Sequence, residues 1–197
     1  MLVFYKENLV FLSVPKTGTT AYETALRDRA DIVISDPPLL KHAPVYRYNR
    51  FLRPMFVNVC DRDPDLIAVM REPISWLGSW YRYRRRPFML GKPNATHDIS
   101  FDTFVDGYTK GNKPGYANVG NQSKFLETQA NGCGVSHLFR YEDPAKLNSF
   151  LEDRLGQTIN TKRENVSPEM DLQLSEKTEE KLRRKCANDF SLYDSIA

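Results

Sequence analysis

The chain has 197 residues, 41% of them hydrophobic and 27% charged, with a formal net charge of +3. That length supports one domain with a substantial core, and the composition is that of an ordinary globular protein rather than a disordered or fibrous one. So mild a positive balance does not by itself imply a nucleic-acid partner, and the placement of individual charges has to decide. Cys60, Cys133 and Cys186 are odd in number and far apart, with no CxxC pair, and the three histidines show no zinc-ligand spacing. A reducing compartment and no structural metal are the expectation.

At the start, "MLVFY" and "LVFLSV" flank "KEN", which predicts a hairpin of two strands. Lys6 and Glu7 interrupt the apolar run, so it reads neither as a signal peptide nor as a membrane span. A cytoplasmic protein is expected. Gly18 to Arg29 follows as a helix with Tyr22, Ala25 and Leu26 as its apolar stripe. "DIVIS" (31–35) reads as a strand ended by Pro37 and Pro38, whereas 41–53 shows no clear period. "LIAVM" (66–70) is a continuous apolar run of the kind found in a parallel strand buried on both faces. Pro73 suits the first position of a helix, on which Trp76, Trp80 and Tyr83 recur as a packing stripe. From 86 to 118 the chain is rich in Pro, Gly, Asn and Thr, with one short helix predicted at 101–108; such a stretch is a natural binding surface. A helix at 122–130, a strand at 135–140, a helix at 145–155 and a charged amphipathic helix, "LSEKTEEKLRRKCANDF", complete the chain. Strands alternating with helices predict an α/β fold: three layers, a central parallel sheet flanked by helices, in a single domain over 1–197.

Open parallel sheets bind ligands beyond the carboxyl ends of their strands, and two such ends carry marked chemistry. The first is "PKTGTT" (15–20). Gly18 lets the backbone approach an anion, and the N–H groups of Gly18 to Thr20 open a helix whose N-terminus favours phosphate. Lys16 adds a full charge, and Thr17, Thr19 and Thr20 add hydroxyls. The second is Arg71, a bulky cation directly after "LIAVM" that calls for an anionic partner. Ser75 and Ser79 share one side of the following helix, so Arg71 and Ser79 together suit a second phosphate. Plainer readings stand beside these: a strand–helix turn with exposed Lys and Thr, and a structural salt bridge from Arg71 to Glu72 or to an acid of "DRDPD".

"PKTGTT" after a strand, and "REPISWLGS" with Arg71 eight residues before Ser79, resemble the two signature elements of the PAPS-dependent sulfotransferases. "LFRYEDP", "RENVSP" and the closing "LSEKTEEKL…DFSLYDSI" are similar to later segments of the carbohydrate-type members. The resemblance implies a P-loop-like fold and transfer of a sulfuryl group from PAPS (3′-phosphoadenosine 5′-phosphosulfate) to a hydroxyl or amine, with a glycan as one candidate acceptor. It implies that Lys16 contacts the bridging oxygen and sulfonate, and that Thr17, Gly18, Thr19 and Thr20 surround the 5′-phosphate. Arg71 and Ser79 would hold the 3′-phosphate, Tyr141 would lie near the adenine, and Lys162 and Arg163 would add late basic contacts. No metal is implied.

His42, in "LLKHAP", occupies the stretch where carbohydrate-sulfating members often carry a histidine. An ordinary pKa of about 6.5 suits a general base taking the proton from an acceptor hydroxyl; a solvated loop histidine is the plain alternative. His97 and His137 rank below it, and Asp98 and Asp102 are the acids to consider next. Arg82, Arg84, Arg85, Arg86 and Lys92 cluster without an acid, which suits an anionic glycan or a solvated helix end. Two other functions are kept. A P-loop kinase needs GxxxxGK[ST] and an acid to help hold Mg²⁺, whereas here the lysine precedes the glycine and Arg71 stands at the strand end. A non-catalytic nucleotide- or glycan-binding module would use the same donor residues.

Overall fold

A short turn near the start sets the direction of the first strands. Residues 1–161 and 170–197 are described by a computed structural model; Lys162 and Arg163 lie outside the described residues. The chain divides into two compact units, the first formed by residues 1–71, 122–161 and 196–197, the second by 72–121 and 170–195. In chain order the first unit opens with β1 (Leu2–Phe4), β2 (Leu9–Phe11), α1 (Thr19–Leu26) and β3 (Ile32–Val33). It continues with α2 (Pro38–Lys41), α3 (Val45–Arg47), a π-helical turn (Tyr48–Leu52), α4 (Arg53–Cys60) and β4 (Asp65–Met70). The second unit begins with α5 (Pro73–Arg84) and α6 (Phe101–Tyr108). The first unit then resumes with α7 (Gln122–Phe125), β5 (His137–Arg140) and α8 (Pro144–Leu155), and the second ends with α9 (Glu176–Lys185) and α10 (Ala187–Asp194).

The turn between β1 and β2 is closed by Asn8 N–H donating to the Tyr5 carbonyl at 3.2 Å. Asn8 itself is left-handed (φ 52°), a conformation asparagine tolerates better than most residues. A connection this short can join only antiparallel neighbours. The five strands lie in the order β3-β1-β2-β4-β5. β1 runs antiparallel to both β2 and β3, while β2–β4 and β4–β5 are parallel. The sheet is therefore open and mixed, and the expected all-parallel centre is corrected to a parallel trio, β2-β4-β5, beside a reversed β1.

Alternation along the strands sends Leu2, Phe4, Leu9, Phe11, Ile67 and Val69 to one face, where they meet Tyr22 and Leu26 of α1 and Leu147, Leu151 and Leu155 of α8. Each such side chain contributes roughly 1.5–3 kcal/mol when fully buried. The alternate residues Val3, Val10, Leu66 and Ala68 are buried too, so both faces of the sheet are covered. The Tyr22 hydroxyl donates to Asn148 Oδ1 at 2.8 Å and ties α1 to α8.

Helices and aromatic rings build the second unit. Trp76, Leu77 and Tyr81 of α5 pack with Phe101, Phe104, Val105 and Tyr108 of α6, joined by Leu182 and Phe190. The rings meet edge-on, Trp76 with Tyr108 at 6.4 Å and Tyr81 with Phe104 at 5.7 Å between centroids. The buried side of α5 runs Pro73, Leu77, Tyr81, Arg84, with Trp76 beside it, while Trp80 and Tyr83 are half-buried. The expected Trp76/Trp80/Tyr83 stripe is present as ring contacts, 6.2 Å between Trp76 and Trp80 and 5.8 Å between Trp80 and Tyr83, but only Trp76 is fully buried. Among the described residues no helix is long and apolar enough to cross a membrane.

Candidate functional site

Beyond Phe11 the chain stays beside β4, with Leu12 N–H donating to the Ile67 carbonyl at 2.9 Å. It then enters the Lys16–Thr20 loop. Two residues there are left-handed: Gly18 (φ 73°), as glycine allows, and Lys16 (φ 68°), which is unusual for a side chain of that size. Such a lysine costs on the order of 1–2 kcal/mol unless its surroundings hold it. Thr17, only 1% exposed, donates its hydroxyl to the Val14 carbonyl at 2.9 Å. That bond closes the loop on itself, so the Thr17 hydroxyl shapes the loop from within. Thr19 is buried, Thr20 half-buried and Gly18 exposed. Gly18 is the N-cap of α1 and has no side chain with which to cap it. Ala21 N–H donates to the Gly18 carbonyl at 3.1 Å, and the N–H groups of Thr19 and Thr20, which lack acceptors inside the helix, open at an exposed glycine with about half a positive charge.

Arg71 follows β4 and Tyr141 follows β5, and Tyr141 N–H donates to the Met70 carbonyl at 2.8 Å. The Arg71 guanidinium lies over the Tyr141 ring, 4.3 Å from its centroid. A Cβ placed on Gly18 would come within 3.0 Å of Tyr141 Cε2. Gly18 is thus demanded twice, by its φ and by the tyrosine against it. Loop glycine and guanidinium both lie against the Tyr141 ring, Arg71 and Tyr141 directly following the neighbouring strands β4 and β5.

Gln122, which the sequence reading did not single out, holds the arginine's backbone. It is 1% exposed; its Oε1 accepts from Arg71 N–H at 3.0 Å and its Nε2 donates to the Arg71 carbonyl at 2.8 Å. No local periodicity marks such a residue. Of the acids weighed as partners for Arg71, Glu72 caps α5 by accepting from Ile74 N–H (3.1 Å) and Ser75 N–H (2.6 Å). Asp63 takes a bidentate pair from Arg53, and Asp65 pairs with Arg154 at 2.9 Å.

His42 follows α2 and places Nδ1 2.7 Å from the Ser13 carbonyl. A carbonyl only accepts, so Nδ1 carries the proton and Nε2 of the neutral ring is left with the basic lone pair. Burial lowers the His42 pKa, the Ser13 bond opposes that, Lys41 and the amino terminus lower it further, and Glu23 raises it. The net effect is downward, so the ring is neutral at pH 7. Lys41 is itself paired with Glu23 at 2.8 Å. Ser13 lies three residues before Lys16, so His42 is tied to the chain that enters the loop.

The other candidates are placed differently. His137 on β5 is exposed and rests against Phe150 at 4.7 Å, and His97 belongs to the second unit. Asp102 accepts from Ser175 N–H, Ser175 Oγ and Thr178 Oγ1, and the Ser175 N–H above all holds its carboxyl below the usual range. That makes it a weak base. Ser79 is buried on α5 in the second unit, separate from the assignment of Lys16, Arg71 and Tyr141 to the first. Within the basic run, buried Arg84 donates to the carbonyls of Gly115 (2.7 Å) and Asn118 (2.8 Å), and Arg85 donates to that of Thr96 (2.9 Å). Comparison with family models, with curated proteins and with solved structures yields no match for this chain.

Proposed function

We propose that the chain is a sulfotransferase that moves a sulfuryl group from PAPS to a hydroxyl or amine acceptor, on a P-loop-like three-layer fold. The observation that carries this reading is that the Lys16–Thr20 loop, through Gly18, and Arg71 after β4 both meet the Tyr141 ring. The residues fit the donor's parts. The helix N-terminus with Lys16 suits a phosphosulfate and Arg71 suits a further phosphate; Tyr141 enters as a neighbour of the purine on the sequence resemblance, since its ring already carries Arg71. Gly18 tolerates no side chain, because a Cβ there would meet the Tyr141 ring at 3.0 Å. Ser79, Lys162 and Arg163 join the proposal on the sequence resemblance alone, as does a glycan acceptor in a cytoplasmic setting.

PAPS supplies the activated sulfuryl group, and the remaining tasks fall to the chain. Lys16 would neutralise charge at the leaving phosphate oxygen, the kind of oriented electrostatic help on which such transfers depend. His42 Nε2 would take the proton of an acceptor hydroxyl. As the ring becomes cationic, its Nδ1–H bond to the Ser13 carbonyl strengthens and steadies it. The kinase alternative asks for an acid near this strand end, but the Glu72 carboxylate is engaged in capping α5.

Thermal melting tests the donor. A ligand that binds only the folded state adds about 2.7 kcal/mol at a hundredfold excess over its dissociation constant. 3′,5′-ADP is expected to raise Tm well beyond 5′-AMP, because only the former offers Arg71 its second phosphate. ATP with Mg²⁺ stabilising more than 3′,5′-ADP would overturn the assignment in favour of a kinase. Strong stabilisation by 3′,5′-ADP, without transfer of labelled sulfate to any of a broad panel of acceptors, would leave the binding module.

A further inference from the structure

The least conventional surface of the first unit lies between Asp36 and Asp61. That stretch contains Lys41, Arg47, Arg50 and Arg53 and no Asp or Glu. It also holds most of the large apolar side chains that the chain leaves in water. Leu39 is 70% exposed, Phe51 61% and Val59 79%, with Leu40, Tyr46 and Met55 also exposed. Phe51, Met55 and Val59 are spaced by four, so they recur on successive helical turns. A globular surface rarely keeps so much apolar area in one stretch without a partner.

The charges sit among these side chains. Arg47 donates to the Leu39 carbonyl (2.7 Å) and to the Tyr46 hydroxyl (3.0 Å), tying the Leu39 segment to α3. Its guanidinium lies 5.5 Å from the Tyr46 ring centroid, and that of Arg50 lies 5.2 Å from the Phe51 centroid. Lys41 and Arg53 are neutralised by Glu23 and Asp63. Among the described residues no acid pairs with Arg47 or Arg50. Each of these two cations thus rides beside an exposed aromatic ring, with aliphatic side chains around it.

We propose that residues 37–60 form a docking surface for an anionic phospholipid bilayer. Leu39, Tyr46, Phe51, Met55 and Val59 would enter the boundary between headgroups and acyl chains, and Arg47 and Arg50 would meet the lipid phosphates. A second copy of the chain fits less well, because a two-fold contact through this stretch sets arginine against arginine with no acid to answer. A nucleic acid fits less well still, since Leu39, Met55 and Val59 offer a phosphate backbone nothing. The inference is independent of the donor reading, because none of Leu39, Tyr46, Arg47, Arg50, Phe51, Met55 and Val59 belongs to the proposed donor site, and His42, the proposed base within the same stretch, is not among the docking side chains.

Co-sedimentation of the full chain with liposomes tests it. Binding is expected to vesicles of phosphatidylcholine with about 30 mol% phosphatidylglycerol, and to be weak with phosphatidylcholine alone. Phe51→Ser with Val59→Ser should weaken binding about tenfold or more, since each removes an apolar side chain from the interface. Arg47→Gln with Arg50→Gln should weaken it and flatten its dependence on salt. Arg50, Phe51 and Val59 are exposed and Arg47 is half-buried, and unchanged melting temperatures would verify that the variants fold. No sedimentation of the wild-type chain with the anionic vesicles would overturn the proposal. So would binding that both double variants leave unchanged. A dimer in sedimentation velocity that Phe51→Ser with Val59→Ser dissolves, in a chain that ignores vesicles, would assign the surface to a second copy instead.

Discussion

Arg71 closes a strand of the first unit with its guanidinium over the Tyr141 ring; Arg84 closes a helix of the second with its guanidinium inside, on two backbone carbonyls. Both are cations at the end of an element, yet their surroundings divide their tasks. Arg71 lies over an aromatic ring, and its backbone is held by a buried amide. Around α5 and α6 the charges serve the architecture: Arg84 holds a loop, Glu72 caps α5, and Asp102 anchors the start of α9. Burying a guanidinium is costly, and its hydrogen bonds to Gly115 and Asn118 offset that cost. Burial also pushes the Arg84 pKa down. What a cation does is therefore decided by what accepts its N–H groups, and a run such as "RYRRRP" does not disclose that.

The contrast is broken most forcefully at Lys16. If the first unit presents charge for chemistry, Lys16→Ala should lower kcat by about 100- to 1000-fold. Binding of 3′,5′-ADP, which lacks the sulfonate, should change far less in calorimetry. Equal and modest losses in both would remove Lys16 from the reaction.

A somewhat smaller effect is expected at His42. Removing a general base costs roughly 100-fold, so His42→Ala should lose about that much kcat while keeping 3′,5′-ADP affinity. Because burial lowers the His42 pKa, the acid limb of the rate profile should have its midpoint below about 6.5. That limb should disappear in the variant. The same lowering makes the native state lose stability as pH falls through the ordinary histidine range, because the unfolded chain then binds a proton that the folded chain resists. A variant with the wild-type limb would show that some other group titrates.

Arg84→Gln sharpens the comparison from the other side. Two hydrogen bonds from a charged donor disappear and two carbonyls are left with weaker partners, so stability should fall by about 3 kcal/mol in urea unfolding. Donor affinity should be retained at temperatures where the variant is folded. An unchanged unfolding midpoint with weakened 3′,5′-ADP binding would move Arg84 from the architecture to a binding site.

The hairpin, the loop with α1, the "LIAVM" strand and the helix after Pro73 were legible because each is announced locally, by period, by turn residues or by proline at a helix start. The stretch 41–53 was not, because short helices and a π-helical turn there share residues between buried and exposed faces without one period. The helix expected over 122–130 stops at Phe125; Gln129 N–H turns instead to the Cys133 carbonyl at 2.8 Å, and Gly132 (φ 83°) bends the chain. The closing helix is two helices, parted at Cys186 (φ −117°, ψ 30°). Lys16 and Arg71 stood out because they follow strands, and Tyr141 through the resemblance of its segment, but the inward turn of Thr17 and the burial of Arg84 depend on acceptors that no motif encodes. For Arg84 those acceptors lie 31 and 34 residues away.

The bond pair between Arg71 and Gln122 has a topological consequence. These two residues are 51 apart, and they are where the chain leaves the first unit and where it comes back. By satisfying both the N–H and the C=O of one residue, the glutamine amide does for Arg71 what an adjacent strand would do. Gln122 thus latches the root of a long excursion. Closing a loop of that length costs about 3.5 kcal/mol of chain entropy, yet doubling it would add only about 0.6. Length changes in the turns of the segment between the latched residues therefore cost little chain entropy, so long as α5 and α6 keep their core, and the peptide of Arg71 stays where β4 leaves it.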